Sequence, residues 1–160
     1  MSFRIGSGFD IHRLTEGIDL IIGGISIPHD KGSLGYSDGD VLIHAICDSI
    51  LGALNLGDLG KYFPSSDASI AGMNSMIMLE TINNLLKERR AKIVNIDSTI
   101  ILQEPKLSPF IGQIRVNLSK ALNISIDQLS VKSKTSDDLG VIGREEGIAA
   151  LSQVLIEIEQ

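Results

Sequence analysis

Phe3-Arg4-Ile5-Gly6-Ser7-Gly8-Phe9-Asp10-Ile11-His12 is the stretch on which the reading of the fold turns. Phe3, Ile5, Phe9 and Ile11 alternate with smaller or polar residues, the two-residue period of a half-buried strand, and the glycines keep its backbone accessible. A first strand over residues 3–11 is therefore expected. Side chains two apart on a strand share a face, so Asp10 and His12 project together from its end.

Downstream, Leu20-Ile21-Ile22 and Ile25-Ser26-Ile27 flank Gly23-Gly24, a two-residue link suited to a primed hairpin turn. Val41, Ile46, Ile50 and Leu54 recur at near-helical spacing behind Asp38, an available N-cap, and predict a helix over residues 40–54. Gly57, Gly60, Pro64 and Ser65-Ser66-Asp67 mark a loop expected to move. A second helix is expected from Asn74, with Ile77, Leu79, Ile82, Leu85 and Leu86 inward and a basic last turn ending at Arg90. Residues 93–102 are rich in β-branched side chains and predict a strand. Pro109 opens a third helix carrying Ile111, Ile114, Leu118 and Leu122, and residues 129–134 predict another strand. The tail suits helix and strand equally, because Ile148, Leu151, Leu155 and Ile158 fit one period while Val154, Ile156 and Ile158 fit the other. The whole describes one α+β domain over residues 1–160.

Composition narrows the chemistry. A net charge of −6, with no Trp and only two Tyr and four Phe, argues against a nucleic-acid binder. No apolar run reaches the roughly 20 residues of a membrane span, and the strand pattern begins too early for a signal peptide, so a cytoplasmic protein is expected. Cys47 is the sole cysteine, which excludes an intrachain disulfide and a cysteine-rich zinc site; its apolar neighbours make it a buried structural thiol.

Any metal must then use nitrogen and oxygen. His44, one turn into the first helix, can join Asp10 and His12, and two imidazoles with one carboxylate suit zinc with a fourth position open for substrate. A chance Asp-x-His pair and an ordinary polar helix residue are the alternative from spacing alone. His29, after Pro28, reads as a solvated loop residue. Ser37-Asp38-Gly39-Asp40 gathers acids and a hydroxyl at a helix N-terminus, which capping explains in part and the orientation of a ligand in part.

Gly8-Phe9-Asp10-Ile11-His12, Tyr36-Ser37-Asp38-Gly39-Asp40 with His44, and Gly57-Asp58-Leu59-Gly60-Lys61-Tyr62-Phe63-Pro64 occur in that order. Gln103-Glu104-Pro105-Lys106, residues 132–140 and Gly143-Arg144-Glu145-Glu146-Gly147 follow. Together they resemble the 2-C-methyl-D-erythritol 2,4-cyclodiphosphate synthase family of the non-mevalonate isoprenoid pathway, over nearly the whole chain. The resemblance implies a mixed sheet covered by helices on one face, a strand at the tail, a small protruding hairpin, and a homotrimer in which the zinc site of one subunit faces the cytidine pocket of its neighbour. It implies an enzyme, a phosphorus-oxygen lyase. The 2-phosphate of 4-diphosphocytidyl-2-C-methyl-D-erythritol 2-phosphate attacks the β-phosphate and CMP departs. Zinc on Asp10, His12 and His44 is implied, with a second divalent cation, magnesium or manganese.

The same resemblance carries substrate contacts onto Asp10, His12, Tyr36 and Ser37, and onto Asp58, Leu59 and Gly60 for the polyol hydroxyls. Phe63, Pro64, Ser65, Ser66 and Asp67 form the closing loop. Leu102, Gln103, Glu104, Pro105, Lys106, Leu107 and Ser108 line the cytidine pocket, and Lys134, Thr135, Ser136 and Asp137 cradle phosphates. Thr135 takes the place of a transition-state-stabilising threonine. Three positions depart from the pattern. Tyr36 stands where the family usually has a histidine and is not cationic near neutral pH; Asp137 replaces a Glu that contacts the second metal; and Val141, near Arg144 and the expected trimer axis, replaces a frequent aromatic. Two other readings are a zinc hydrolase, with metal-bound water attacking a phosphoester and Asp40 or Asp58 as base, and a trimer that keeps the fold without turnover.

Overall fold

In a computed structural model, which describes residues 1–159, a five-stranded mixed sheet runs in the order β4-β1-β7-β5-β6. Its strands are β1 (Ser2–Glu16), β4 (Lys31–Leu34), β5 (Ala91–Ile101), β6 (Leu129–Lys134) and β7 (Gly147–Ile158), while β2 (Leu20–Ile22) and β3 (Ile25–Ile27) form a separate hairpin. The helices are α1 (Val41–Ala53), α2 (Leu59–Tyr62), α3 (Ser75–Glu88), α4 (Ile111–Leu122) and α5 (Gly140–Gly143). Only β5 and β6 are parallel, and α4 supplies the crossover between them. The tail is a strand: β7 pairs antiparallel with β1 from Ser2↔Ile158 to Arg13↔Gly147 and on its other side with β5.

The first strand is longer than residues 3–11, because pairing with β7 and then with β4 carries it to Glu16. Its faces are assigned against simple expectation. Gly6 and Gly8 are on the buried side, whereas Phe3, Ile5 and Phe9 are 61%, 76% and 54% exposed. A Cβ at Gly6 would stand 1.8 Å from the Ser49 carbonyl oxygen, and one at Gly8 would stand 1.9 Å from that of Ala45. The α1 backbone thus lies directly on the β1 backbone, an approach only glycine permits. The core fills the space between this face and the helices. Leu42, Ile43, Ile46, Ile50 and Leu51 of α1 meet Ile96, Ile100, Ile148 and Ile156 of the sheet, and Leu79, Ile82, Ile114 and Leu118 close it from outside.

Several sequence expectations shift. Asp40, not Asp38, caps α1: its Oδ1 accepts the Ile43 N–H at 3.1 Å and its Oδ2 accepts the Gly24 N–H at 2.7 Å. Helix α3 begins just after Asn74, close to the expected start, with Asn74 as its cap, but Ile77 is 52% exposed and Met78 is buried. The reason is phase, since Ser75 is wholly buried and residues i+3, i+4, i+7 and i+11 from it therefore face inward. The hairpin forms around Gly23-Gly24, both at positive φ as a primed turn needs. It is docked rather than protruding, because Leu20, Ile22 and Ile27 belong to the core. His29 is half-buried with its Nε2 enclosed and unpartnered among the described residues, not solvated; its ring is turned inward although Pro28 and Asp30 on either side are exposed. The loop after Gly57 holds the single-turn α2 and a 3₁₀ turn at Ala68–Ile70. Cys47 is buried, and burial pushes its thiol well above the usual range. No helix of the described residues is long and apolar enough to cross a membrane.

Candidate active site

The glycine face of β1 delivers the site. Because α1 is seated on Gly6 and Gly8, its half-exposed stripe His44, Asp48, Gly52 runs beside the strand that carries Asp10 and His12. One ligand atom from each of Asp10, His12 and His44 lies within 4.8 Å of the other two. Asp10 Oδ2 is 2.8 Å from His12 Nε2 and 2.9 Å from His44 Nδ1, and the two nitrogens are 3.2 Å apart.

The outer nitrogens say which inner atoms are free. His12 Nδ1 is 3.1 Å from the Leu34 carbonyl, which only accepts, so Nδ1 carries the hydrogen. A neutral His12 therefore turns a bare Nε2 on the Asp10 carboxylate, acceptor facing acceptor at 2.8 Å. That arrangement is stable only with a proton or a cation in between. Burial pulls the His12 pKa down, but the hydrogen bond and charge of Asp10 outweigh it, and without metal the ring holds its proton above its ordinary pKa. Burial likewise raises the Asp10 carboxyl, and the bonds and charges of His12 and His44 more than reverse this, holding it far below the usual carboxylate range. Two imidazoles and a carboxylate converging this way fit a divalent cation such as zinc.

Around the triad, His12, Tyr36, Ser37, His44, Leu59, Gly60, Phe63, Ser65, Ile70 and Met78 line a cavity of about 150 Å³. Asp58 caps α2 by accepting the Lys61 N–H at 3.1 Å, and Asp48 accepts the Leu59 N–H at 2.7 Å. Burial raises the Asp48 carboxyl; the Leu59 bond offsets part of this and the negative charge of Asp58 adds to it. The Tyr36 hydroxyl donates to the Asp67 carbonyl at 3.2 Å, which ties the phenol to the loop. Pro64, Ser66 and Asp67 are exposed on that loop.

A second depression of about 130 Å³ is lined by Leu102, Gln103, Pro105, Lys106, Leu107, Ser108, Ser133, Lys134 and Thr135. Glu104, exposed and joined to Pro105 by a cis peptide, stands outside its lining. Gln103 holds the following loop: its Nε2 donates to Asp138 at 2.8 Å and its Oε1 accepts the Ser136 N–H at 3.4 Å. Asp137, exposed at positive φ, donates its N–H to Thr135 Oγ1 at 3.4 Å. The two depressions have no lining residue in common. Arg144 is engaged by both Glu146 carboxylate oxygens at 2.9 and 3.0 Å, with Val141 exposed nearby in sequence.

Sequence reading missed Ser75, Leu34, Ile70 and Met78. Ser75 Oγ is 3.0 Å from His44 Nε2, with Ser37 Oγ at 3.1 Å from the same atom. Nothing in the spacing of a lone serine at a helix start points to a histidine 31 residues away.

Comparison with known proteins decides the family, since residues 3–157 match the YgbB family. This chain belongs to the YgbB family. It is 56% identical over 153 residues to the 2-C-methyl-D-erythritol 2,4-cyclodiphosphate synthase of Clostridioides difficile, covering 96% of this chain and 95% of that one. The fold superposes on a CDP complex of IspF from Plasmodium falciparum with a TM-score of 0.88 and 38% identity, covering 99% of this chain and 98% of that one. It also matches the bifunctional IspDF from Campylobacter jejuni with a TM-score of 0.95 and 36% identity, over 99% of this chain and 43% of that longer one.

Proposed function

We propose that this YgbB-family site is assembled between subunits of a homotrimer, the Asp10-His12-His44 triad of one facing the 102–108 pocket of the next, and closes a cyclic diphosphate there. The activity is that of its relatives: 4-diphosphocytidyl-2-C-methyl-D-erythritol 2-phosphate becomes 2-C-methyl-D-erythritol 2,4-cyclodiphosphate with release of CMP. An oxygen of the 2-phosphate forms a bond to the β-phosphorus, and the bond from that phosphorus to the bridging oxygen breaks, so CMP takes the electron pair. The nucleophile is already an anion near neutral pH, so positioning and charge neutralisation carry the step and no Ser-His pair is needed.

The observation that carries this reading is the convergence of Asp10 Oδ2, His12 Nε2 and His44 Nδ1 at the edge of the cavity lined by Leu59, Gly60 and Phe63. Zinc held there supplies Lewis-acid neutralisation of phosphate charge, and a second divalent cation, magnesium or manganese, belongs to the same proposal with Asp137 as its contact. Asp58, Leu59 and Gly60 meet the polyol hydroxyls, the 63–67 loop covers them, and Ser37 with the Tyr36 backbone meets the phosphates. Residues 102–108 hold the cytidine, with Lys106 and Lys134 near its phosphates, while Thr135 and Ser136 stabilise the reacting group. Arg144 and Val141 flank the trimer axis. The exposed apolar side chains Phe3, Ile5 and Phe9 of the sheet support a site completed by a second subunit. A cytoplasmic setting accords with a lone, buried thiol.

Product analysis with added zinc and magnesium tests this reading. Cyclic diphosphate and CMP are expected in equal amounts, and His44→Ala abolishes both. A ring-opened product would show a hydrolase instead, and no zinc-dependent CMP release would show a fold kept without turnover.

A further inference from the structure

Behind the triad, the Ser75 hydroxyl has two polar neighbours of opposite kind. It donates to Asp38 Oδ1, whose carboxylate can only accept when ionised, and it lies 3.0 Å from His44 Nε2. Its one hydrogen is committed to Asp38, so the oxygen must accept from His44, and Nε2 carries the ring hydrogen. Ser37 Oγ, 3.1 Å from the same nitrogen, shares that hydrogen. Nδ1 is then the bare nitrogen and the one that faces Asp10 Oδ2 and His12 Nε2. Asp38 is itself held: its Oδ2 accepts the Ser75 N–H at 2.9 Å, its Oδ1 accepts the Asp40 N–H at 3.3 Å, and its own N–H donates to the Met73 carbonyl at 3.1 Å. Ser75 is wholly buried.

We infer that Asp38 and Ser75 are positioning residues of the metal centre, a carboxylate and a hydroxyl in series that hold His44 in the tautomer and orientation offering Nδ1 to a divalent cation. This rests on the metal-centre reading above. The pair does for His44 what the Leu34 carbonyl does for His12, and it accounts for the acid that precedes Gly39, since Asp40 alone caps α1. An imidazole whose outer N–H is tied to an acceptor is a better-aimed and more basic ligand, and loss of such a partner costs roughly 10- to 100-fold in metal affinity.

The test is zinc affinity, measured by competition with a chromophoric chelator on the full chain, together with the His44 tautomer read from ¹⁵N chemical shifts of the zinc-loaded protein. Ser75→Ala keeps the backbone N–H that Asp38 accepts, so the α3 start survives. It is expected to weaken zinc about 10- to 100-fold and to mix the His44 tautomers, whereas wild type shows hydrogen on Nε2 alone. Ser37→Ala, whose hydroxyl has no carboxylate behind it, is expected to lose less. If wild type and His44→Ala bind zinc equally, the metal-centre reading itself fails. If His44→Ala loses zinc and Ser75→Ala binds like wild type, only the present inference fails. Should Ser75→Ala not fold, Asp38→Asn keeps the hydroxyl and removes the charge behind it; weaker zinc supports the inference and unchanged zinc overturns it.

Discussion

Asp40 is fully buried, and burial pushes its carboxyl up to about 6 from 3.8, with the Gly24 and Ile43 N–H bonds offsetting part of the rise and the Asp38 charge adding to it. A carboxyl whose folded pKa is raised favours the fold when protonated. The contribution is complete below about pH 4 and is lost as pH climbs through about 6. Between pH 4 and pH 7 this costs on the order of 2 kcal/mol. In metal-free protein, the urea-unfolding free energy of wild type relative to Asp40→Asn should fall by that amount over the interval; a difference independent of pH would show that Asp40 does not titrate there. The Asp10-His12-His44 cluster was legible in the sequence, because Asp10 and His12 sit two apart on a strand and His44 sits near a helix start. The separate duties of Asp38 and Asp40 were not. Both flank Gly39, and only contacts to Ser75 and Gly24, 37 and 16 residues away, tell one from the other.

Among the elements, β1 shows how a correct strand can carry an unexpected face. Alternation located the strand but not its inward side, and the side that α1 covers is the one without side chains at Gly6 and Gly8. Gly8→Ala sets a Cβ against the Ala45 carbonyl, a backbone atom with no cheap way to move. Chemical denaturation should show a loss of ~3 kcal/mol or more, and the zinc affinity of whatever folds should drop, because lifting α1 takes His44 away from Asp10. Gly52→Ala on the same helix is the control: the nearest atom outside α1 is the Ser7 carbonyl oxygen at 3.9 Å, and the variant should gain about 0.5–1 kcal/mol from helix propensity. Equal effects at the two glycines would mean that close packing does not set the α1 position. The phase of α3 has the same character, for Ile77 and Met78 are both apolar and only the buried anchor of Ser75 rotates Met78 inward.

For the whole molecule, the exposed side chains on the outer face of β1 bear on assembly. Ile5 is 76% exposed on a strand whose opposite side is covered by α1, with Phe3 and Phe9 exposed beside it, and apolar side chains gathered in this way suit the proposed assembly surface. Ile5→Glu should leave each chain folded and able to bind zinc, since neither the core nor the triad touches that face. It should shift the sedimentation mass from trimer to monomer and abolish cyclisation. A fully active monomer would sink the shared-site reading, and a wild type that already sediments as one chain would do the same.

The chain itself determined the order of β1, the hairpin, α1, α3, β5, α4 and β6, the glycine turn of the hairpin and the pairing of Asp10 with His12 on one strand face. These are properties of period, turn chemistry and residue type that act over a few neighbours. Which side of β1 is inside, which acid caps α1, what holds the outer nitrogen of His44, and the pairing of the tail as a strand between β1 and β5 were decided by tertiary structure alone. Each depends on close approach between segments tens of residues apart, and local preference leaves those alternatives nearly equal until the packed elements exclude all but one.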